Sequence, residues 1–288
     1  MSRTDPTRTK TLRKAFSSEI NKRFLWLRGM VRKSLVDRDV LALKENIALP
    51  GSRAFDFPRS SEKVEAFMRW LGEMEDRGIF SLRKGVSRSQ SSNVKWADVY
   101  IDSAYRQGMR RGNHELRKAG YSVPSLSEEG INVLFSQPVH ADRVGLIYTR
   151  VFSELKGVTD AMDQQISRIL AQGMAEGVNP REIADRITSS IRDIQKQRAL
   201  KIARTEVVRA HHHASMALYE EAEVEGVALL AEWSTAGDRN VCEFCNMMAS
   251  QGPYNLNEAW GMIPAHPNCR CVMLPLTLGD VEHEMGLL

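Results

Sequence analysis

The sequence predicts a mainly α fold, in which a body of antiparallel helices precedes a small C-terminal α+β module clipped by a Cys/His cluster. Three observations lead to this prediction. Apolar residues recur at spacings of three and four through most of the 288 residues, the period of an amphipathic helix. The stretch NPRE at 179–182 has the pattern of a helix start. All four cysteines lie within residues 242–271, between apolar runs of strand length.

The first predicted helix spans residues 11–40 and carries an apolar stripe on one face. The stripe consists of Leu12, Phe16, Ile20, Phe24, Leu27, Val31 and Leu35. The segment IALPGSRAFDFPRSS ends this helix, because it contains two prolines and a glycine. A second helix is expected from Ser60 or Ser61 to Gly78.

A third helix is predicted over residues 94–118, closed by Gly120, after an exposed polar loop at 81–95. In the centre of the chain, Asn179 is the expected cap of a helix with Pro180 in its first position. Isoleucines then line one face of that helix: Ile183, Ile187, Ile191 and Ile194.

A further helix is expected over 196–224, and short connections between helices in 130–224 favour an antiparallel bundle. The runs VALLAEWST and VMLPL have the length and apolar content of strands. We therefore divide the chain into an N-terminal helical region with a basic arm (1–90), a helical body (91–226) and a small α+β module (227–288).

Positive charge is concentrated at the N-terminus. Residues 1–40 contain eleven Lys or Arg and four Asp or Glu, whereas the whole chain has a net charge of +4. Such an arm can bind a polyanion, and the candidate nucleic-acid contacts are Arg8, Lys10, Arg13, Lys14, Lys22 and Arg23. A solvated helix face is the alternative interpretation. The sequence contains no apolar signal core and no run of about 20 apolar residues. We therefore expect that the protein is synthesised in the cytoplasm and does not associate with a membrane.

The cysteines form two short pairs with a histidine beside the second. Cys242 and Cys245 have the two-residue gap usual for zinc ligands, and His266, Cys269 and Cys271 offer three further candidates. Ligation by four thiolates and ligation by three thiolates and the imidazole both fit this spacing. Either set closes the coordination shell, so a bound zinc ion would be structural rather than catalytic. Metal-free packing of the thiols and a redox pair are the alternatives.

Structural roles are expected for the histidine run and for a short charged stretch that precedes it. Neighbours on a helix point about 100° apart, so His211, His212 and His213 are expected to pack or face solvent rather than share an ion. Arg204, Thr205 and Glu206 are interpreted as part of an ion-pair patch. The sequence contains none of the common phosphate-binding, hydrolase or zinc-protease motifs, so we expect no enzyme activity.

The C-terminal half resembles the Mu F-like minor head protein family of phage head morphogenesis proteins. The resemblance rests on WSTAGDRNVCEFC, PAHPNCRCVMLP, IARTEVVRAHHHASMALYE, ILAQGMAEGVNPREIADRI and VYIDSAYRQGMRRG, and it covers about residues 95–276. Besides the Cys/His cluster, it implies structural roles for Arg204, Thr205, Glu206, Trp233, Asp238 and Arg270.

The resemblance implies a minor capsid protein of a tailed phage or prophage. Such a protein is expected in the virion, in the capsid interior or at the portal vertex, and in the host cytoplasm during assembly. Its expected partners are the portal protein and other procapsid components, with DNA as a further candidate during packaging or ejection. A nucleic-acid-binding protein with a structural zinc module is the alternative, and a hydrolase or transferase with an open metal position is a third hypothesis.

Overall fold

The computed structural model describes residues 5–41, 60–81, 95–224 and 229–277, and most of these residues are helical. The elements in chain order are α1 Lys10–Arg32, α2 Ser60–Gly78, α3 Asp98–Lys118, α4 Glu128–Phe135, α5 Pro138–Ala175, α6 Pro180–Ile194, α7 Leu200–Val224, β1 Leu229–Ser234, α8 Glu243–Gln251, β2 Tyr254–Asn255, α9 Leu256–Ala259 and β3 Val272–Thr277. This architecture confirms the predicted class of a mainly α protein with a small C-terminal α+β module.

The predicted first helix is present, but it ends earlier as a regular α-helix. Helix α1 continues as a π-helical turn at Lys33–Asp37, and its apolar stripe from Phe16 to Leu35 is buried. Helix α2 begins and ends where the sequence predicts. The interhelix break at 47–59 and most of the predicted loop at 81–95 lie outside the described residues.

The predicted start of α6 is confirmed by its cap. The side-chain oxygen of Asn179 accepts a hydrogen bond of 2.9 Å from the backbone N–H of Arg181, and Pro180 occupies the first helical turn. A π-helical turn at Gln195–Ala199 separates α6 from α7, so α7 begins at Leu200 rather than at 196. The inward isoleucines Ile183, Ile187 and Ile191 are fully buried.

The chain divides into two compact units. One consists of Met1–Phe16, Ala97–Val151 and Ile202–Leu288, and the other of Ser17–Trp96 and Phe152–Lys201. The predicted division at residues 90 and 226 follows chain order, and it stays a prediction. None of the helices in the described part of the chain combines the length and the apolar character required to cross a membrane.

In the first unit, helices α3 and α7 cross at glycine. A Cβ on Gly108 would lie 2.2 Å from the carbonyl oxygen of His211, and one on Gly112 would lie 3.1 Å from the Cα of Ser215. The Ser215 hydroxyl donates to the carbonyl of Gly108 at 3.0 Å. The glycines at these two positions therefore let the two backbones approach closely.

Helix α5 is antiparallel to α7 within this unit. Arg143 bonds Glu220 at 2.9 Å, and Arg150 bonds Glu206 at 3.2 Å, so the residue numbers rise along one helix and fall along the other. Beside these pairs, the buried Tyr105 hydroxyl is hydrogen-bonded to His140 Nδ1 at 2.9 Å, and His140 Nε2 lies 2.9 Å from a carboxylate oxygen of Glu221. This antiparallel arrangement agrees with the predicted bundle.

The three strands form an antiparallel sheet with the order β2-β1-β3. Strand β1 has alternating burial, with Leu229, Ala231 and Trp233 facing inward. Helix α7 packs against the sheet, and its Tyr219 hydroxyl donates to the carbonyl oxygen of Met273 at 3.3 Å. The sheet thereby holds the start of β3 beside the end of β1.

The second unit contains a buried acidic pair in its helical core. Glu75 of α2 is 2% exposed, and its carboxyl group lies beside that of Asp163 of α5. Burial and then the charge of Asp163 raise the pKa of Glu75, while burial raises the pKa of Asp163. Both shifts favour the protonated form, because two adjacent carboxylate charges repel each other in a site that excludes water.

Candidate metal centre

The sheet register brings the two cysteine pairs together. Ser234 at the end of β1 lies opposite Val272 at the start of β3, so Cys271 directly precedes the strand that pairs with β1. The chain leaves β1 and enters α8 at Cys242, close to the same end of the sheet. Residues far apart in sequence therefore converge at this corner of the module.

The first pair occupies the N-terminal turn of α8. Cys242 is the cap residue, and its Sγ accepts a hydrogen bond of 3.4 Å from the backbone N–H of Cys245. This bond is the main cause that lowers the pKa of Cys242. The cysteine cap thus aims both sulfur atoms toward the second motif.

The five predicted ligand residues lie in two groups that share Cys245. The ligand atoms of Cys242, Cys245 and His266 are all within 4.8 Å of one another, and so are those of Cys245, Cys269 and Cys271. His266 Nε2 lies 3.2 Å from both Cys242 Sγ and Cys245 Sγ. In a tetrahedral zinc site the ligand atoms are about 3.6–3.8 Å apart. The cluster could therefore hold a metal ion with small side-chain shifts.

The ring of His266 is oriented as a metal ligand requires. Its Nδ1 lies 3.0 Å from the carbonyl oxygen of Pro267. A carbonyl oxygen only accepts, so Nδ1 carries the proton in this bond and the lone pair of Nε2 faces the sulfur atoms. A backbone carbonyl on the remote ring nitrogen is a common outer partner of metal-bound histidine.

The thiols restrict one another's ionisation. A hydrogen bond from Cys271 lowers the pKa of Cys269, and the same bond, followed by burial, raises the pKa of Cys271. Burial and then the charge on Cys269 raise the pKa of Cys245. Like charges repel strongly in a buried site, so one thiolate keeps its neighbours protonated. A divalent cation would allow several thiolates to coexist.

A buried indole group lies beside the cluster. Trp233 is 2% exposed, and its Nε1 has no hydrogen-bond partner of normal geometry in the described part of the chain. The Trp233 side chain nevertheless favours ionisation of Cys271, although the neighbouring Cys269 dominates the pKa of that thiol. A thiolate held in place by a metal ion would give this orphaned N–H an acceptor. The donor set and its surroundings therefore fit a thiolate-rich metal site.

Arg204 and Thr205, two of the residues to which the family resemblance gives structural roles, contact the turn between His266 and Cys269. The Thr205 hydroxyl accepts a hydrogen bond of 3.2 Å from the backbone N–H of Asn268, and Arg204 lies 3.5 Å from the Asn268 side-chain oxygen. Asn268 has a φ of 64°, a left-handed conformation that asparagine tolerates. Helix α7 thereby fixes the turn between His266 and Cys269.

The other family-motif residues divide between two places. Arg270 forms two hydrogen bonds of 2.6 Å with Asp238, which lies in the loop before Cys242. Trp233 is beside Cys271, as described above. Glu206 lies away from the cluster and bonds Arg150 and Arg209, which agrees with the predicted ion-pair patch.

The basic residues near the N-terminus do not form one exposed set. Arg13 is 11% exposed and pairs with Asp5. Arg23 donates to the carbonyl oxygen of Gly78 at 2.6 Å and stacks on Trp96, 4.2 Å from its ring centre. The remaining four are exposed: Arg8, Lys10, Lys14 and Lys22. Whether any of the six contacts nucleic acid stays a prediction.

The histidine run is mostly interior. His211 and His212 are buried, and burial lowers the pKa of each to about 3. His213 faces Trp260, with ring centres 5.4 Å apart. The sequence did not predict this aromatic contact or the Glu75–Asp163 pair, because the residues of each pair lie far apart in the chain.

Fold and site together define a mainly helical protein that ends in a small sheet module with a Cys/His cluster. Residues 164–274 match the family model described as Phage Mu protein F like protein, so this part of the chain is similar to Mu F-like proteins. No curated protein and no solved structure matches the chain significantly. The matched range contains the whole cluster and confirms the predicted resemblance over residues 164–274, whereas the resemblance upstream of residue 164 stays a prediction.

Proposed function

We propose that the chain is a minor capsid protein of a tailed phage or prophage that acts structurally in head morphogenesis. In this proposal it takes part in procapsid assembly near the portal, and its partners are the portal protein and other procapsid components. The observation that carries the proposal is the family match over residues 164–274. Proteins of this class are generally structural rather than enzymatic.

The metal centre has a supporting part in this proposal. Cys242, Cys245 and His266, together with Cys269 or Cys271, would hold a structural zinc ion. The ion would supply a rigid, charge-neutralising cross-link between the start of α8 and the start of β3. A module this small buries little apolar surface, so metal binding would contribute directly to its folding free energy.

Mass spectrometry of purified procapsids and virions would test this function. The expected result is the chain in one or both particles, at fewer copies than the major capsid protein, and co-purification of the portal protein with the tagged chain. A Cys269→Ser/Cys271→Ser variant is expected to incorporate poorly, whereas the exposed His114→Ala control should incorporate normally. Absence of the chain from both particles would overturn the proposal.

Nucleic-acid binding is the second candidate function. The observation that favours it is the exposure of three basic residues within one short stretch, Arg8, Lys10 and Lys14. Affinity for duplex DNA should then fall steeply with salt, with a slope of roughly −0.9 per neutralised phosphate. Lys10→Glu/Lys14→Glu should flatten that slope, while Lys118→Glu, at an exposed site on α3, should not. No binding at low salt would rule this candidate out.

A further inference from the structure

A cleft of about 500 Å³ lies between α5, α7 and Trp260 in the first unit, and none of its lining residues belongs to the Cys/His cluster. Its lining combines apolar and basic side chains, namely Arg143, Leu146, Ile147, Arg150, Arg209, His213, Glu220 and Trp260. Its volume is within the range of sites that bind ligands or anchor side chains. The composition of the lining therefore indicates an occupant that is both apolar and anionic.

Trp260 forms a fixed aromatic wall of this cleft. Its indole N–H donates to the Glu220 carboxylate. The Arg143 guanidinium lies 4.7 Å from its ring centre, and the His213 ring is nearly perpendicular to the indole, with 5.4 Å between ring centres. An aromatic side chain held by three neighbours loses little conformational entropy on binding, as in preorganised recognition sites.

Two basic side chains of the cleft, Arg150 and Arg209, are bound by a buried carboxylate. Glu206 is 2% exposed and accepts hydrogen bonds from Arg150 at 3.2 Å and Arg209 at 3.1 Å. The side chain of Arg150 is 48% exposed, whereas that of Glu206 is 3% exposed. A partner approaching the cleft therefore meets guanidinium groups before it meets the carboxylate that orients them.

The exposed face of α5 alternates apolar and basic residues along this cleft. Val139, Arg143, Leu146 and Arg150 follow one another at spacings of four, three and four, so they share one face of the helix. Val139 is 44% exposed and Leu146 is 73% exposed, which is unusual for residues of this type on a helix that buries its other face. This spacing is the register that a second helix would match.

We propose that the cleft docks an acidic amphipathic helix of a partner protein. An apolar side chain of that helix would lie on Leu146 and Trp260, and its carboxylates would bind Arg143 and Arg150. The largely apolar lining disfavours a phosphate backbone as the occupant, because phosphates offer no apolar side chain to cover Leu146 and Trp260. The proposal is independent of the role in head assembly, since it rests on the cleft formed by α5, α7 and Trp260 and not on the family match.

Binding of two matched peptides would test the proposal. The probe is a fluorescein-labelled helical peptide of about 18 residues with leucines seven positions apart and glutamates at the intervening helical positions. The control peptide has lysine in place of every glutamate. The acidic peptide should bind saturably and lose affinity with added salt, whereas the lysine peptide should bind at least about tenfold more weakly.

Substitution of one exposed leucine locates the site. Leu146→Glu should weaken binding of the acidic peptide by about tenfold or more, because it places a like charge at the centre of the contact. Leu25→Glu is the control, since Leu25 is a leucine on α1 that is 55% exposed. Both variants should unfold at the wild-type temperature.

Several results would overturn the proposal. They are equal binding of the two peptides, no saturable binding up to about 1 mM, or no effect of Leu146→Glu. Displacement of the acidic peptide by a DNA duplex would assign the cleft to nucleic acid instead. Self-association of the chain that Leu146→Glu abolishes would assign it to a second copy. Failure of the head-assembly proposal would leave all of these measurements unchanged.

Discussion

The guanidinium of Arg270 donates two hydrogen bonds of 2.6 Å to the two carboxylate oxygens of Asp238. The two side chains are 24% and 19% exposed, so the pair is largely shielded from solvent. Arg270 stands between Cys269 and Cys271, and Asp238 lies in the loop that leads to Cys242. This single contact therefore ties together the two segments that carry the cysteine pairs.

Arg270→Lys should loosen the candidate metal centre. A lysine ammonium cannot reproduce the two parallel hydrogen bonds, so the free energy of unfolding should fall by about 1–2 kcal/mol. Affinity for zinc should fall by about 10–100-fold, as for other residues that orient metal ligands. Chemical denaturation and zinc titration with a competing chelator would measure the two effects.

Arg192→Lys is the control for that substitution. Arg192 pairs with Asp193 at 3.8 Å in an exposed position, so its replacement should change stability by less than about 0.5 kcal/mol. Equal losses for the two variants would contradict the role assigned to Asp238 and Arg270.

Removal of the metal should destabilise the C-terminal module. Elemental analysis of the purified chain is expected to find about one zinc ion per molecule, and a chelator should lower the midpoint of thermal unfolding. His266→Ala should lower the zinc content, because His266 Nε2 lies 3.2 Å from both Cys242 Sγ and Cys245 Sγ. His114→Ala, at an exposed position on α3, should leave it unchanged. Full zinc content in His266→Ala would assign the site to four thiolates.

The buried acidic pair should make stability depend on pH. Burial and the neighbouring Asp163, outweighing Lys156, raise the pKa of Glu75 above its ordinary 4.5. The unfolded chain releases this proton at lower pH than the folded chain does. The stabilising contribution is therefore complete below pH 4.5 and is lost as the pH rises toward the folded-state pKa.

Glu75→Gln should remove that dependence. The amide cannot ionise and can still donate to Asp163. The free energy of unfolding of the variant, relative to that of the wild type, should therefore be about 1–3 kcal/mol higher at pH 8 than at pH 5. Urea unfolding at the two pH values measures the difference. Glu73→Gln, at an exposed position of the same helix, should show none. A pH-independent effect of Glu75→Gln would contradict the raised pKa of Glu75.

The crossing of α3 and α7 should not tolerate a side chain at its centre. Gly108→Ala places a methyl group 2.2 Å from the His211 carbonyl oxygen and 2.7 Å from Ala214 Cβ, both on a packed helix. The backbones must then move apart, and the expected loss is about 1–3 kcal/mol or more. Thermal or chemical unfolding would measure it.

Gly145→Ala is the matched control on α5. A Cβ at Gly145 meets nothing within 4 Å, so alanine should stabilise the helix by about 0.5–1 kcal/mol. Similar effects of the two substitutions would contradict the close approach at Gly108.

Local patterns were sufficient for most of the helices. The stripe from Phe16 to Leu35 and the Asn179–Pro180 start depend on neighbours within one or two turns, so sequence spacing alone identifies them. The π-helical turns at 33–37 and 195–199 were missed, because they interrupt helices without a proline or a helix-ending glycine. The sequence also did not separate α8 from the surrounding turns, since a cysteine cap is not a usual helix-start signal.

The sequence predicted which residues form the candidate site, but it did not predict the contacts that surround them. Cysteine spacing was enough to propose a shared cluster. Trp233 of β1 contacts Cys271, the residue before β3, and Thr205 of α7 contacts Asn268 in the turn before Cys269. These partners are distant in sequence, so no local period predicts the contacts. The exposure of the basic residues was equally hidden from the sequence. Arg23 binds the carbonyl oxygen of Gly78, which is distant in sequence, whereas Lys14 is exposed.

By itself, the sequence determined that this chain is mainly helical, which residues of α1 and α6 are interior, and that its thiols are concentrated near the end. These properties follow from helical periodicity and short spacing, which act over a few residues. Only the tertiary structure decided that His266 meets Cys242, that Glu75 is buried beside Asp163, and that Leu146 and Trp260 line one cleft. Those contacts depend on how distant segments pack and how much water they exclude, and the burial of each group is a property of the whole fold.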